Sequence, residues 1–420
     1  MEGQIRGTVK RPRVRLVDVS PLRESAPFAR LWAAGAVVQV AAQSAQAALA
    51  WWIFQESGTS LAVGLLGVAV GVPVVALSLV GGALADSRSP KNVALAGVLA
   101  QLACAIVFFV STVSGILSVW LTFCLVAVSS AGGAIAAPTR RPYLRRLLRK
   151  EAIPAAASLY MISMHVGQIV GPIVGGLMVA SSLGLGAVFG AQIGAMGIYL
   201  YAVLSLPPLG PAGASGRITA GIWDGLKYVR DRPVIRACIG IDLYLTFFVV
   251  PTVLFPELVE RHWGMGPEAY GYLLAAVSIG GVAVTLFAGT FTSMCRLGRG
   301  LLIASGVWVL AVVLLAASPS FEVALLLAAV IGGADVVTLT LQQAIVQLAV
   351  GDEMQGRVGA LQMLVGMGGP QLGGARAGAF GSLLGPVGAL VAGVPFAIAL
   401  IALDKRGLRA VAGFERGHGG

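Results

Sequence analysis

The sequence predicts an all-α integral membrane protein: twelve transmembrane helices in two pseudo-repeated six-helix halves. Three observations predict it: a composition too poor in charge for water, twelve apolar runs of spanning length, and a glycine–proline pattern shared by equivalent runs. Of 420 residues, 57% are apolar and 11% charged, where soluble domains carry about 45–50% (glycine included) and about 25%. Counting the 57 glycines brings the apolar share to about 70%. Such a chain cannot cover its own surface with polar groups, so its solvent is lipid.

A spanning helix needs about 20 mainly apolar residues. Runs of that kind lie near 30–54, 61–84, 93–112, 116–138, 155–180 and 184–206, then near 235–255, 270–292, 300–317, 322–349, 358–383 and 385–403. The expected organisation is therefore a basic arm at 1–27, a six-helix half at 28–206, a linker at 207–233, a second half at 234–403 and a tail at 404–420. Within the linker, apolar residues at 222, 223, 226 and 229 form one face of a short helix, with charges opposite. That pattern suits a helix on the membrane surface, the alternative being a polar tether. No cleavable signal peptide is expected, because 1–27 are basic and the first apolar run is too long for one.

Lysine and arginine set the orientation. Of the 29 basic residues, 27 fall on one predicted side; Arg261 and Arg376 do not. The other side shows Glu56, Glu257, Glu260, Glu268 and Glu322. Both termini are expected in the cytoplasm, in the inner membrane of a bacterium. Trp32, Trp51, Trp52, Trp120, Trp223 and Trp263 lie near the predicted interfaces and read as belt residues.

The net charge of +11 is spread in short groups between apolar runs, which excludes a nucleic-acid partner. Cys104, Cys124, Cys238 and Cys295 form no C-x-x-C pair and read as small apolar fillers. His165, His262 and His418 have no ligand spacing, so no metal and no cofactor are expected, and an intramembrane enzyme, like a channel, is the remote alternative. A channel would show rings of charge or a selectivity filter. With no Gly-Lys pair there is no Walker A loop, so ATP does not drive this chain. The expected partners are a small-molecule substrate, protons and the bilayer, with the chain a monomer.

The repeat comes from Gly171-Pro172-Ile173-Val174-Gly175-Gly176 in span 5 and Gly369-Pro370-Gln371-Leu372-Gly373-Gly374 in span 11. Gly64 and Gly82 of span 2 correspond in the same way to Gly271 and Gly289 of span 8. Duplicated halves place a substrate site near the midplane, between them.

These motifs resemble the major facilitator superfamily. Gly82-Ala83-Leu84-Ala85-Asp86-Ser87-Arg88-Ser89-Pro90-Lys91 is similar to its motif A, G-x-L-A-D-R-x-G-R-K, departing at Ser87, Ser89 and Pro90. The resemblance implies a gating role for Gly82, Asp86, Arg88 and Lys91. Ser293 at the position equivalent to Asp86 makes any such lock asymmetric. Gly167, Gly171, Pro172, Gly175 and Gly176 match motif C, a fifth-helix pattern of antiporters. Ala137-Pro138, Glu151 with Ala156-Ala157-Ser158-Leu159, Gly225 to Arg230, and Gly356-Arg357-Val358 are similar to the branch of enterobactin exporters and macrolide efflux pumps. The resemblance covers about residues 28–403. It implies secondary active export of a siderophore, drug or natural product by proton antiport. Lysophospholipid flipping and solute import by the same fold are the alternatives.

Several polar residues within spans are costly in lipid and should face protein or a water-filled cavity. Gln39, Gln43 and Gln46 share one face of span 1, and Gln342, Gln343 and Gln347 lie in span 10. The resemblance places spans 1, 4, 7 and 10 around the cavity, so the glutamines have two readings, substrate lining or interhelical hydrogen bonding. Asp242 lies just inside Arg236, where it is either interfacial or cavity-lining. His165 reads as a packing residue. Asp335 sits midway along span 10, and Arg376 is the one basic residue expected inside the membrane. Their depths differ by about 8 Å at about 1.5 Å per residue, a gap that a long arginine side chain largely bridges. The expectation from chemistry is that Asp335 alternates between pairing with Arg376 and binding a proton. A static ion pair is the alternative.

Overall fold

The computed structural model describes residues 18–87, 89–207, 220–287, 291 and 294–415; the side chains of 78–87, 141 and 220–224 lie outside the description. The helices are α1 (Ser20–Glu24), α2 (Ala26–Ser57), α3 (Ser60–Ser87), α4 (Pro90–Val113), α5 (Val119–Ala136), α6 (Arg140–Leu147), α7 (Ile153–Ala180) and α8 (Gly184–Leu204). They continue with α9 (Ala220–Asp231), α10 (Pro233–Phe248), α11 (Phe255–Glu257), α12 (Pro267–Thr285), α13 (Leu297–Ala316), α14 (Phe321–Ala349), α15 (Asp352–Leu403) and α16 (Lys405–Ala412). The described residues contain no strand.

Among the described residues, ten segments are long and apolar enough to cross a membrane. The sequence count of twelve differs from this for two physical reasons. Gln39, Gln43 and Gln46 lower the hydropathy of α2, which at 32 residues is nonetheless long enough to span. The 52-residue α15 joins two predicted spans across a break at Gly385 (φ 72°), a left-handed conformation that glycine adopts without Cβ strain, followed by Pro386.

Hydrophobic burial drives little association in lipid, so these helices pack by backbone approach at small residues. On α7, a Cβ at Gly175 would stand 2.5 Å from the Ser44 carbonyl of α2, and the Ser44 hydroxyl donates to the Gly171 carbonyl at 2.8 Å. Gly373 of α15 lies against Thr246 and Phe247 of α10 in the equivalent way. Gly64 of α3 meets the Gly374 carbonyl of α15, and Gly271 of α12 meets the Pro172 carbonyl of α7. The repeated glycines thus make matching contacts. Between α12 and α14 the approach is reciprocal, Gly280 on the Ala329 carbonyl and Gly332 on that of Val277.

Polar ends are fastened by side chains. Lys91 donates through Nζ to the Leu204 and Leu206 carbonyls, each at 2.7 Å, satisfying the end of α8. Asp404 caps α16 through the Gly407 N–H and receives Arg236 Nε at 2.9 Å and Nη2 at 2.7 Å. The Arg236 guanidinium holds the Asp404 carboxyl below the usual carboxylate range. The linker's amphipathic pattern forms α9, whose Gly225 sits on the Arg357 backbone of α15. Trp51 departs from the belt reading: it is 6% exposed and packs its ring 6.0 Å from Tyr270 of α12. Trp120, 78% exposed, is placed as a belt residue would be.

Gly280→Ala or Gly332→Ala forces α12 and α14 apart, an overpacking cost of about 1–3 kcal/mol. Thermal unfolding of the detergent-solubilised protein should show a lowered midpoint for both. Gly194→Ala, where a Cβ meets nothing within 4 Å, should leave it unchanged or raise it.

Candidate functional site

The site begins with a broken helix. After Phe248 the run of α10 stops, and Val249 to Pro251 lead into a 3₁₀ turn at Thr252–Leu254, then α11 and a π-helical turn at Leu258–His262. Proline at 251 has no N–H to give the Phe247 carbonyl four residues earlier. Arg376 of α15 supplies the missing donors, Nε to the Phe247 carbonyl at 2.9 Å and Nη2 to that of Phe248 at 2.7 Å. A cation at a helix C-terminus is favoured by the peptide dipoles. The guanidinium carbon also lies 5.1–5.9 Å from the ring centres of Phe247, Phe248 and Phe380. Gly393 leaves room for this, since a Cβ there would stand 3.1 Å from Arg376 Nη2.

This corrects the expected pairing of Arg376 with Asp335. No ion pair among the described residues joins them: Arg376 donates to the Phe247 carbonyl, whose helical donor Pro251 lacks, and to the Phe248 carbonyl at the break. Asp335 instead lines a central cavity of about 420 Å³, within the usual range for a small-molecule site.

The cavity lies where α2, α3 and α7 face α12, α14, α15 and the broken segment after α10. Gln43 and Gln46 line it. Gln39 does not; it covers Gly167 of α7, whose Cβ position is 2.5 Å from its Cγ. Gln342 is 2% exposed and lies against the Asp242 carboxylate, its Oε1 unpartnered among the described residues. Asp242 is buried at 7% exposure, next to Asp335, and neither it nor Gln342 lines the cavity, which corrects the cavity-lining reading of both. Gln343 and Gln347 are exposed and do not line the cavity.

Four lining residues were missed or misread from sequence: His165 and Gln168 on α7, Tyr270 on α12 and Gln371 on α15. Gln371 had a signal, its place inside the repeated G-P-x-x-G-G pattern, whose two prolines, Pro172 and Pro370, both face the cavity. Gly67 and Gly71 of α3 make space for the Gln371 side chain. The motif C glycines are packing residues here: Gly167, Gly171 and Gly175 on α2, Gly176 on the Pro267 carbonyl of α12. Of the motif A set, Lys91 caps α8; Gly82 and Asp86 lie where side chains are outside the description, and Arg88 and Ser293 lie outside the described residues.

A polar cluster closes one end of the bundle. Glu257, read from sequence as a surface charge, is 1% exposed and receives the Ser60 hydroxyl of α3 through Oε2. Arg261 Nη1 lies 2.7 Å from Glu257 Oε1, and its Nη2 donates to the Gly58 carbonyl at 2.9 Å. Arg261 also sits 5.5 Å from the Phe54 ring of α2. The segment after the break is thereby bound to the α2–α3 turn.

Comparison with known proteins places this architecture. The family described as transmembrane secretion effectors matches residues 17–413. The multidrug efflux pump Tap of Mycolicibacterium fortuitum is 30% identical over 251 residues, 56% of this chain and 60% of that pump. The enterobactin exporter EntS of Shigella boydii is 26% identical over 381 residues, 82% of this chain and 90% of the exporter. A bacterial homologue of the human lysosomal transporter Spinster superposes with a TM-score of 0.72 at 14% identity, covering 94% of this chain and 99% of that one. The nucleoside transporter NupG superposes at 0.70 and 14% identity, covering 93% and 100%. The chain is a multi-pass membrane transporter of the major facilitator superfamily, a member of its transmembrane secretion effector family.

Proposed function

We propose that this chain exports a small amphipathic molecule across a bacterial inner membrane by alternating access, in exchange for protons. The observation that carries the reading is the central cavity, with Asp335 in its wall and the Glu257–Arg261–Ser60 cluster closing the end beyond it. In this reading the halves 28–206 and 234–403 rock about the cavity, joined by the linker at 207–233. The arginine-rich end faces the cytoplasm by the positive-inside rule, with both termini there. The closed end is then external, and the cavity receives cargo from the cytoplasm. The names of the relatives, an efflux pump and an exporter, support the outward direction. Protonation and cargo binding at Asp335 are the coupled events, since an ionised carboxylate in a span needs water or a partner.

The test is a mixed panel of amphipathic dyes, cationic, neutral and anionic, offered to inverted vesicles with an acidic lumen. At least one dye should accumulate, and collapsing the pH gradient with an ionophore should abolish it. Asp335→Asn should lower accumulation at least about tenfold while the folded protein remains in the membrane. Accumulation that ignores the gradient, or that survives Asp335→Asn, counts against proton antiport.

The external closure makes a separate prediction. Glu257→Gln keeps the shape but removes the charge that holds Arg261, so the external end should open more often. In a background free of native cysteines, Ser57→Cys should react several-fold faster with a membrane-impermeant maleimide when Glu257→Gln is added. An unchanged rate would mean that the cluster does not set closure.

A further inference from the structure

The cavity's charge distribution says more about the cargo than its size does. Among the described residues that line it, Asp335 is the one charged group, and none is lysine or arginine. The intramembrane arginine that might have offset it, Arg376, does not line the cavity: its Nε and Nη2 donate to the Phe247 and Phe248 carbonyls, and its Nη1 has no partner among the described residues. Behind Asp335 stands a second carboxylate, Asp242. An anion entering this site would lose its hydration and meet the Asp335 carboxylate with no lining cation to pair with, which low-dielectric surroundings make costly.

We infer that the cargo is an amphipathic monocation whose charged head sits at Asp335. The inference rests on the export reading above and names the substrate class of the same cavity. The remaining walls suit such a molecule. Tyr270, 4% exposed and backed by Trp51, touches the cavity with an aromatic side chain of the kind that attracts cations. Val63 and Leu66 of α3 and Leu274 and Val277 of α12 offer aliphatic contact to its body. Glutamine amides at 43, 46, 168 and 371 each both donate and accept, and adapt to varied polar substituents without selecting a charge.

The assignment separates the chain from a carrier of anions. It also explains how cargo and proton exclude each other: both neutralise the same carboxylate. The other titratable groups that face Asp335 are Asp242 on α10, Tyr270 on α12 and His165 on α7 across the cavity. α13, also packed on α14, carries only Arg299, at its basic end.

The experiment uses the full-length protein in detergent and two xanthene dyes of similar size, the cation rhodamine 123 and the anion fluorescein, followed by fluorescence polarisation. Rhodamine 123 should bind at least about tenfold more tightly than fluorescein, a difference of about 1.4 kcal/mol. Its affinity should fall as the pH is lowered far enough for protons to compete for the carboxylate. Asp335→Asn should erase the preference, and Asp335→Glu should keep it. Equal binding of the two dyes, at any level including none, overturns the assignment, as does a preference that survives Asp335→Asn. Because binding is read without a gradient, this outcome is independent of the vesicle result. Gradient-driven movement with charge-blind binding sinks the cation assignment alone, and cation-selective binding without such movement sinks the antiport reading.

Discussion

The central site depends on the break after Phe248. In lipid each backbone polar group must find a partner inside the protein, and an interrupted span is tolerated only where that demand is met. Pro251 removes the donor that the Phe247 carbonyl would have used, and Arg376 replaces it from another helix. Two consequences follow from one guanidinium. The segment after the break is free to turn into the cavity wall at Val250, Thr252 and Val253. The cavity, for its part, loses the cation that would have neutralised Asp335.

The second constraint is how close the helices come. Gly175 on Ser44, Gly373 on Phe247, and Gly64 and Gly271 on opposite carbonyls bring backbones into direct contact. At that spacing a site is shaped by main chain more than by side-chain bulk. The repeated pattern then sets Pro172 and Pro370 on opposing walls, each lacking the N–H that a straight helix would use. What differs between the repeats carries the chemistry. Gln371 stands where α7 has Ile173, and only the second repeat has the arginine that mends a broken neighbour.

Much of this was legible in the sequence, and the failures are instructive. Composition and run length gave the membrane class, and the spacing of Gln43 and Gln46 gave one wall of the cavity. Gln342 and Gln343 are adjacent in sequence yet one is buried and the other exposed, so residue type alone could not sort them. Arg376 finds its partners in backbone carbonyls, which side-chain chemistry alone does not reveal. The readable clue was a proline four residues after Phe247. Glu257 was taken for a surface charge because the irregular turns after α10 hide its burial from any periodicity.

Cavity and closure are joined by very little chain. Thr252 and Val253 touch the cavity, and Glu257 and Arg261 bind the α2–α3 turn only a few residues later. Between them lie a 3₁₀ turn, one turn of α-helix and a π-helical turn, a compact segment with its inner end clamped by Arg376. Leu254, Phe255, Leu258 and Val259 are buried completely, which packs this segment tightly against its neighbours. In the proposed cycle, anything that fills or empties the cavity beside Thr252 pushes on the body that carries the closure. Coupling then needs no distant relay, only a lever a few residues long pivoting on the break that Arg376 holds.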